Sequence, residues 1–435
     1  MTKNFLLILA MDTPISIAPM IQWTDTNYRN LFRLIAKEPL LYTEMITASS
    51  VVNAYTHDKP LHGWIASTPA EAPLAVQIGG GGGSELATSE LATAAELILS
   101  HMPQPPTELN INCGCPSNKA KRANFGLNLM RSTERDRLRH SLSAVVKRVG
   151  NRIETISVKC RLGIVDGVDD NDDCDDSSVG CADLKSFISV VSSVGIRKII
   201  IHARVGVAKG LSTGKNRTVP PLMYEVVEQM VTQFPEMTII LNGGISSLQQ
   251  AQSILSGVYN FDNDDNNKPW FDHATSQSGY GWGPSIDWGV FTSQSSTQSA
   301  QPPHGVMIGR LAYNNPTAFH NADSLFFNKL DKDPTFREIV EDYIDITRAR
   351  EFEFCSHGIS QLAKPLHNLF KDVVKDREYK QTLDQLLIDH GKNKHHNKDV
   401  GSFSKADVLN EIVSHAMATI DDEILDSHIS ISTKI

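Results

Sequence analysis

Residues 109 to 117 read Leu109-Asn110-Ile111-Asn112-Cys113-Gly114-Cys115-Pro116-Ser117, a short apolar run that closes in a glycine and proline turn carrying polar and reactive side chains. That pattern decides the fold because it recurs. Working outward, similar β-rich runs lie at residues 15–18, 40–42 and 74–78 before it, and at 156–158, 198–201, 238–241 and 306–308 after it. Each ends in a polar or glycine-rich turn. The gaps have room for helices, and residues 85–100, 136–149, 183–194 and 221–234 carry apolar residues at helical spacing. Strand and helix alternating eight times predict an α/β chain folded as a (β/α)8 TIM barrel.

The seventh and eighth runs are too far apart for one unit unless residues 260–303 are set aside as an insertion rich in Asn, Asp, Ser, Gln and Gly. A second acidic stretch, 165–183, reads as a loop after the fifth strand. Beyond about residue 320 strand signals stop, and 333–354, 359–374, 379–389 and 406–424 read as helices, with 391–405 a polar, basic connector. The expected domains are therefore a barrel at 12–320 and a smaller all-helical unit at 321–435.

The chain has 435 residues, 40% of them hydrophobic, enough for one large core and a smaller one. No apolar run reaches the length of a membrane span, so no membrane association is expected. Net charge is −9, which at face value argues against a nucleic-acid partner. The average misleads. The two acidic stretches hold −8 and −4, leaving +3 for the rest, so an RNA partner stays open if they are surface insertions. The six cysteines, Cys113, Cys115, Cys160, Cys174, Cys181 and Cys355, show neither a disulfide framework nor metal-ligand spacing, and a reducing compartment is expected. The apolar run from Phe5 to Met11 reads as a lead-in to the fold, with a truncated organellar leader as the other reading.

In such a barrel reactive groups sit where strands end, and phosphate commonly binds after the seventh and eighth strands. Here Asn242-Gly243-Gly244 follows the seventh and Gly309-Arg310 the eighth, so bare backbone N–H groups and an arginine can meet an anion. A glycine after a strand is ordinarily only a turn; the paired occurrence carries the reading. Gln77, Lys159 and His202 end the third, fifth and sixth strands and suit a ring dense in carbonyls and nitrogens, such as an isoalloxazine. Singly, each is as readily an ordinary core or surface residue. Gly114 and Pro116 set a turn that presents Cys115 at the mouth while Cys113 packs inward. A cysteine here is either a small buried hydrophobe or, being mostly protonated at neutral pH, a proton donor to carbon. The glycine run at 80–83 lacks the Lys-Ser or Lys-Thr of a P-loop and reads as a βα turn.

Together, Ser16-Ile17-Ala18-Pro19-Met20 with Trp23-Thr24-Asp25, Leu41 to Met45, Gln77 to Gly80, Asn110 to Ser117, Val158-Lys159 with Arg161 and Gly163, Ile201 to Arg204, Asn242 to Ile245 and Met307 to Arg310 resemble the tRNA-dihydrouridine synthases in family order over residues 15–320. Gly210-Leu211-Ser212, Asn216-Arg217 and Pro220-Pro221 are most similar to the A-type branch, whose targets are D-loop uridines 20 and 20a. The resemblance implies FMN held by Ala18, Pro19, Met20 and Gln77 at the ring, by Lys159 and His202 at its pyrimidine side, and by Asn242, Gly243, Gly244, Gly309 and Arg310 at the phosphate. It implies NADPH as reductant, hydride delivery to uracil C6 and Cys115 as proton donor to C5, with Asn112 near the target base. The base must swing out of folded tRNA to react, so the partner must also be gripped along its backbone. Arg204, Ser212, Lys215 and Arg217, with Lys364, Arg377 and Lys380 of the helical unit, are candidates for that grip, beside Lys119, Lys121, Arg122, Lys209, His367 and Lys371; their bland reading is solvated surface.

This chain departs from the pattern in two places. Cys113 stands where an aliphatic residue is usual, and Thr213-Gly214-Lys215 replaces the usual Pro-Lys-Glu, which leaves the target uridine open. The alternatives are another FMN barrel acting on a free pyrimidine or enone, or a non-catalytic tRNA-binding module; intact Cys115, Lys159, His202 and Arg310 count against the latter. A cytoplasmic monomer without metal is expected.

Overall fold

The computed structural model describes residues 13–81, 84–166, 181–258, 301–350, 358–393 and 404–432. The apolar run 5–11, the second half of the glycine run, most of both acidic stretches, Cys174, Cys355 and most of the 391–405 connector lie outside them.

Eight parallel strands close into a barrel: β1 (Ile15–Ile17), β2 (Leu40–Thr47), β3 (Leu74–Gly79), β4 (Glu108–Asn112), β5 (Thr155–Arg161), β6 (Lys198–His202), β7 (Thr238–Asn242) and β8 (Gly305–Ile308). Each strand pairs with the next in sequence, and β8 closes on β1 with Ile17 opposite Ile308. All eight expected runs are strands. Helices follow on the outside: α1 (Thr26–Ile35), α2 (Ala48–Thr56), α3 (Glu85–His101), α4 (Arg135–Val149), α5 (Cys181–Ser193), α6 (Tyr224–Gln233), α7 (Leu248–Leu255) and α8 (Ala322–Phe327). Their apolar faces and the outward strand residues form one continuous core, in which Ile111, Cys113, Val158 and Cys160 are fully buried.

Inside the barrel a smaller apolar layer of Leu40, Tyr42, Ala75, Ile200, Ile240 and Met307 fills the floor. Beside this layer the inward positions of β3, β4 and β5 are polar from the floor to the C-terminal mouth: Glu108, Asn110, Ser157, Gln77 and Asn112 are all buried. Buried polar groups persist only when their hydrogen bonds are met, and these satisfy one another.

After β8 every element of the described residues is helical. The stretch includes α9 (Phe336–Ala349), α10 (Asp376–Asn393) and α11 (Lys405–Met417); α9 packs on α1 and α11, and α10 packs on α11. Glu71, with no exposed surface, anchors this attachment: its carboxylate takes Arg29 Nε at 2.6 Å, and Arg350, just past α9, lies 3.9 Å away. Phe336, Phe370 and Tyr379 pack ring against ring within the helical region.

Three expectations need correction. Residues 359–374 are not one helix: it ends at Ala363 and gives way to a 3-10 turn from Lys364 to Asn368, because Pro365 lacks the N–H and the space to continue. Residues 406–424 divide into α11 and a short helix from Asp422 to Leu425. The helix expected from Pro221 begins at Tyr224. Unanticipated is a two-residue parallel pairing of Ile164–Val165 with Gly206–Val207, which ties the loops after β5 and β6 together above the mouth. None of the described helices is long and apolar enough to cross a membrane.

Candidate active site

The C-terminal mouth opens into a cavity of about 800 Å³. Ala18, Pro19, Met20, Gln77, Asn112, Cys115, Lys159, His202, Arg204, Arg217, Asn242, Gly243, Gly244, Gly309 and Arg310 all line it, so the residues singled out from the strand ends converge on one space. Ser212, Lys215, Lys364, Arg377 and Lys380 do not line it. Ser212 and Lys215 are exposed on the loop after β6, Arg377 is exposed on α10, and Lys380 pairs with Asp376 at 3.3 Å.

The turn after β4 is built by its own side chains. Asn112 Oδ1 accepts the N–H of Gly114 at 3.2 Å and of Cys115 at 3.0 Å, closing an Asx turn that presents Cys115 half-buried at the wall. Its thiol donates to Ser117 Oγ at 3.2 Å, and Ser117 caps the short helix from Asn118 to Arg122. Gly126, with φ of 62°, passes so close to the Cys115 carbonyl that an added Cβ would lie 2.8 Å from it. Cys113 points the other way, into the outer core, where burial pushes its thiol far up. Cys160 beside it is pushed up to about 12.

Among the described residues positive charge dominates the lining: Lys159, Arg161, Arg204, Arg217, Arg310 and Lys371 stand against a single carboxylate, Asp372. Burial, helped by Arg161, lowers Lys159 to about 8, and Lys159 Nζ donates to Asn242 Oδ1 at 2.8 Å. Asn242 in turn donates to the Met307 carbonyl at 2.7 Å, which locks its amide. His202 is held well below the usual histidine range by burial and then by Arg161, Lys159, Arg204 and Arg217, so its imidazole is neutral at pH 7. Arg204 is lowered to about 10 by burial, and its Nε–H is buried without an acceptor among the described residues. Such concentrated charge with an unmet donor suits an anionic ligand.

Gly243 and Gly244 adopt φ of 115° and 71°; a Cβ on the first would stand 2.5 Å from His202 Cδ2, and on the second 2.3 Å from Leu222. Only glycine lets the chain turn here against those neighbours.

Sequence reading passed over Arg161 as a site residue. Its guanidinium reaches the Gly114 carbonyl at 3.1 Å, Asn216 at 2.9 Å and Val205 at 3.2 Å, joining the Cys115 turn to the loop after β6. It was visible only as part of the motif Val158-Lys159 with Arg161 and Gly163. Also missed was the rim stack: Trp23 and Tyr313 lie 4.3 Å apart and nearly parallel, and Lys364 Nζ sits 4.4 Å over the Trp23 ring. Nothing in the local sequence pairs residues so far apart along the chain.

The profile of the family described as Dihydrouridine synthase (Dus) matches residues 16–258 and 289–406. All but the first of the unmatched residues 259–288 fall within the stretch set aside as an insertion, whose last part, 289–303, the profile matches. A tRNA-dihydrouridine(20/20a) synthase of Synechocystis sp. is 30% identical over 376 residues, covering 85% of this chain and 88% of that protein. Proteins of the same name from Pasteurella multocida and Shigella flexneri are 31% and 29% identical over 327 and 378 residues, covering 75% and 85% of this chain and 77% and 87% of their own lengths.

Proposed function

We propose, from the premise that this chain belongs to the dihydrouridine synthase family, that it reduces the C5=C6 bond of D-loop uridines of tRNA, at positions 20 and 20a, to 5,6-dihydrouridine. The observation that carries this reading is the convergence of Cys115, Lys159, His202 and the Gly243–Gly244 turn on one electropositive cavity. The relatives named for positions 20 and 20a support the choice of uridine.

The residues fit FMN as the resident group. A cavity of about 800 Å³ is of the right order for such a ligand. The positive-φ glycines, Arg310 and the unmet Arg204 Nε–H supply donors where a phosphate would add charge, and Gln77, Lys159 and His202 supply an amide, a cation and an uncharged imidazole for the ring. Bound FMN would supply the hydride, drawn from NADPH and added at uracil C6. Cys115 gives its Sγ proton to C5, so that the C5=C6 bond becomes single, and the thiolate left behind regains a proton from water at the open mouth. Asn112 holds the Cys115 backbone, and Arg161 ties that turn to the opposite loop. Residues 321–435 act as a tRNA-gripping domain. Lys364, Arg377, Lys380, Lys215, Ser212 and Arg217 are offered as backbone contacts, and the working unit is a cytoplasmic monomer.

Cys115→Ala tests the chemistry. The variant is expected to keep its flavin and its NADPH oxidation and to lose most dihydrouridine formation on unmodified tRNA, mapped by position. An unchanged product yield would remove Cys115 from the acid role.

A further inference from the structure

Beneath the cavity, hydrogen bonds run up the inside of the barrel from its floor to the Cys115 turn. At the bottom Glu108, only 2% exposed, receives Lys198 Nζ on Oε2 at 2.7 Å, and the Tyr42 and Ser157 hydroxyls on Oε1. Having given its proton to Glu108, Ser157 Oγ is left to accept, and it takes Asn110 Nδ2 at 2.6 Å. Asn110 Oδ1 then receives Gln77 Nε2 at 2.7 Å, and Gln77 Oε1 receives Asn112 Nδ2 at 2.8 Å. Asn112 Oδ1 ends the series on the Gly114 and Cys115 N–H groups.

The direction of this series is chemically forced from both ends. Backbone N–H groups only donate, so Asn112 must turn its oxygen to the Cys115 loop and its NH2 to Gln77. A carboxylate facing an ammonium and two hydroxyls only accepts, so Ser157 must point its proton down. The three amides between have one sense that satisfies both ends. Reversing any one sets oxygen against oxygen or NH2 against NH2 between buried side chains, so they turn together or not at all.

We propose that Glu108 and Ser157 are positioning residues for the cavity: the buried charge on the barrel floor sets the sense of the Asn110, Gln77 and Asn112 amides, and through Asn112 holds the turn that carries Cys115. Neither residue touches the cavity. The sense they impose gives Asn112 its acceptor at the turn, which an inverted amide could not offer. Why a polar column stands where other inward positions are apolar follows from this: its members are kept for orientation, since an apolar filling would pack equally well.

The role in proton delivery rests on the proposed reaction, but the geometry does not, and Ser157→Ala with Ser157→Thr separates the two. Alanine removes both the acceptor for Asn110 and the donor to Glu108; threonine keeps both. For Ser157→Ala, kcat for dihydrouridine formation should fall about tenfold while KM for tRNA and flavin content stay within about twofold. Independently of turnover, alkylation of Cys115 by iodoacetamide, followed on the Cys115 peptide by mass spectrometry, should change about threefold or more in rate, and Ser157→Thr should restore both readouts to within about twofold. Buried Cys113 and Cys160 report in the same digest that the core stays closed. An unchanged alkylation rate and kcat in Ser157→Ala overturns the proposal, as does a threonine variant as impaired as the alanine one. If the wild-type protein forms no dihydrouridine, the proposed reaction falls while the alkylation comparison still decides the positioning role.

Discussion

Replacing Lys159 with methionine puts the electrostatics of the cavity to a quantitative test. Burial, and then Arg161, lower this ammonium from 10.5 to about 8. Between those two values the unfolded chain binds more protons than the folded one. Stability therefore rises with pH through that window, and the cost of the buried charge is fully present below it. At about 1.4 kcal/mol per pH unit the cost is roughly 3 kcal/mol, which water in the open cavity screens to about 2. Methionine keeps the apolar stem and removes the charge, but it gives up the 2.8 Å bond to Asn242 Oδ1, worth about 1 kcal/mol. The ligand-free variant should thus be more stable than the wild type by about 1 kcal/mol at pH 6.5, and less stable by a similar amount only at about pH 11, above the unfolded-state value, where Lys159 is neutral in both states yet still donates in the folded one. Denaturant unfolding of both proteins, stripped of flavin and compared across that range, reads the sign change, and dihydrouridine formation by the variant should be lost throughout. A difference that does not vary with pH, or a variant less stable at pH 6.5, refutes the reasoning.

Two further outcomes follow from the anion side of the cavity. Gly243→Ala places a Cβ 2.5 Å from His202 at a φ of 115°, and strain plus overpacking should cost about 2–5 kcal/mol; a thermal transition unchanged from wild type would remove the argument from close approach. Arg310→Ala should leave the fold intact and release flavin on gel filtration, whereas a fully yellow variant would count against Arg310 as a phosphate ligand.

Much of this architecture was legible in local sequence. The eight strands were readable because each is a short apolar run stopped by glycine, proline or a polar turn, and those signals act over a few residues. The ends of the runs marked the cavity for the same reason: in a closed parallel barrel every strand delivers the inward side chains of its C-terminal end to one rim, so Gln77, Asn112, Lys159, His202 and Asn242 had to meet once the strands were counted correctly. The helical region was harder. Apolar periodicity continues through Pro365 and past Met417, and periodicity alone does not register a missing backbone donor or a turn.

What sequence by itself determined is the list of strands, the polarity of their ends and the turn that carries Cys115, because propensity and turn chemistry are local. Tertiary closure decided the rest. Arg161 reaches Gly114 and Asn216 only because β5 lies between β4 and β6, and Lys364 meets Trp23 only because the helical region folds back onto the loop after β1. The charge states also belong to the folded state: Lys159 at about 8 and a neutral His202 come from burial and from neighbouring cations on the segments after β5 and β6, between residues 159 and 217. Desolvation and Coulomb energies depend on distance in space, and separation along the chain does not encode them.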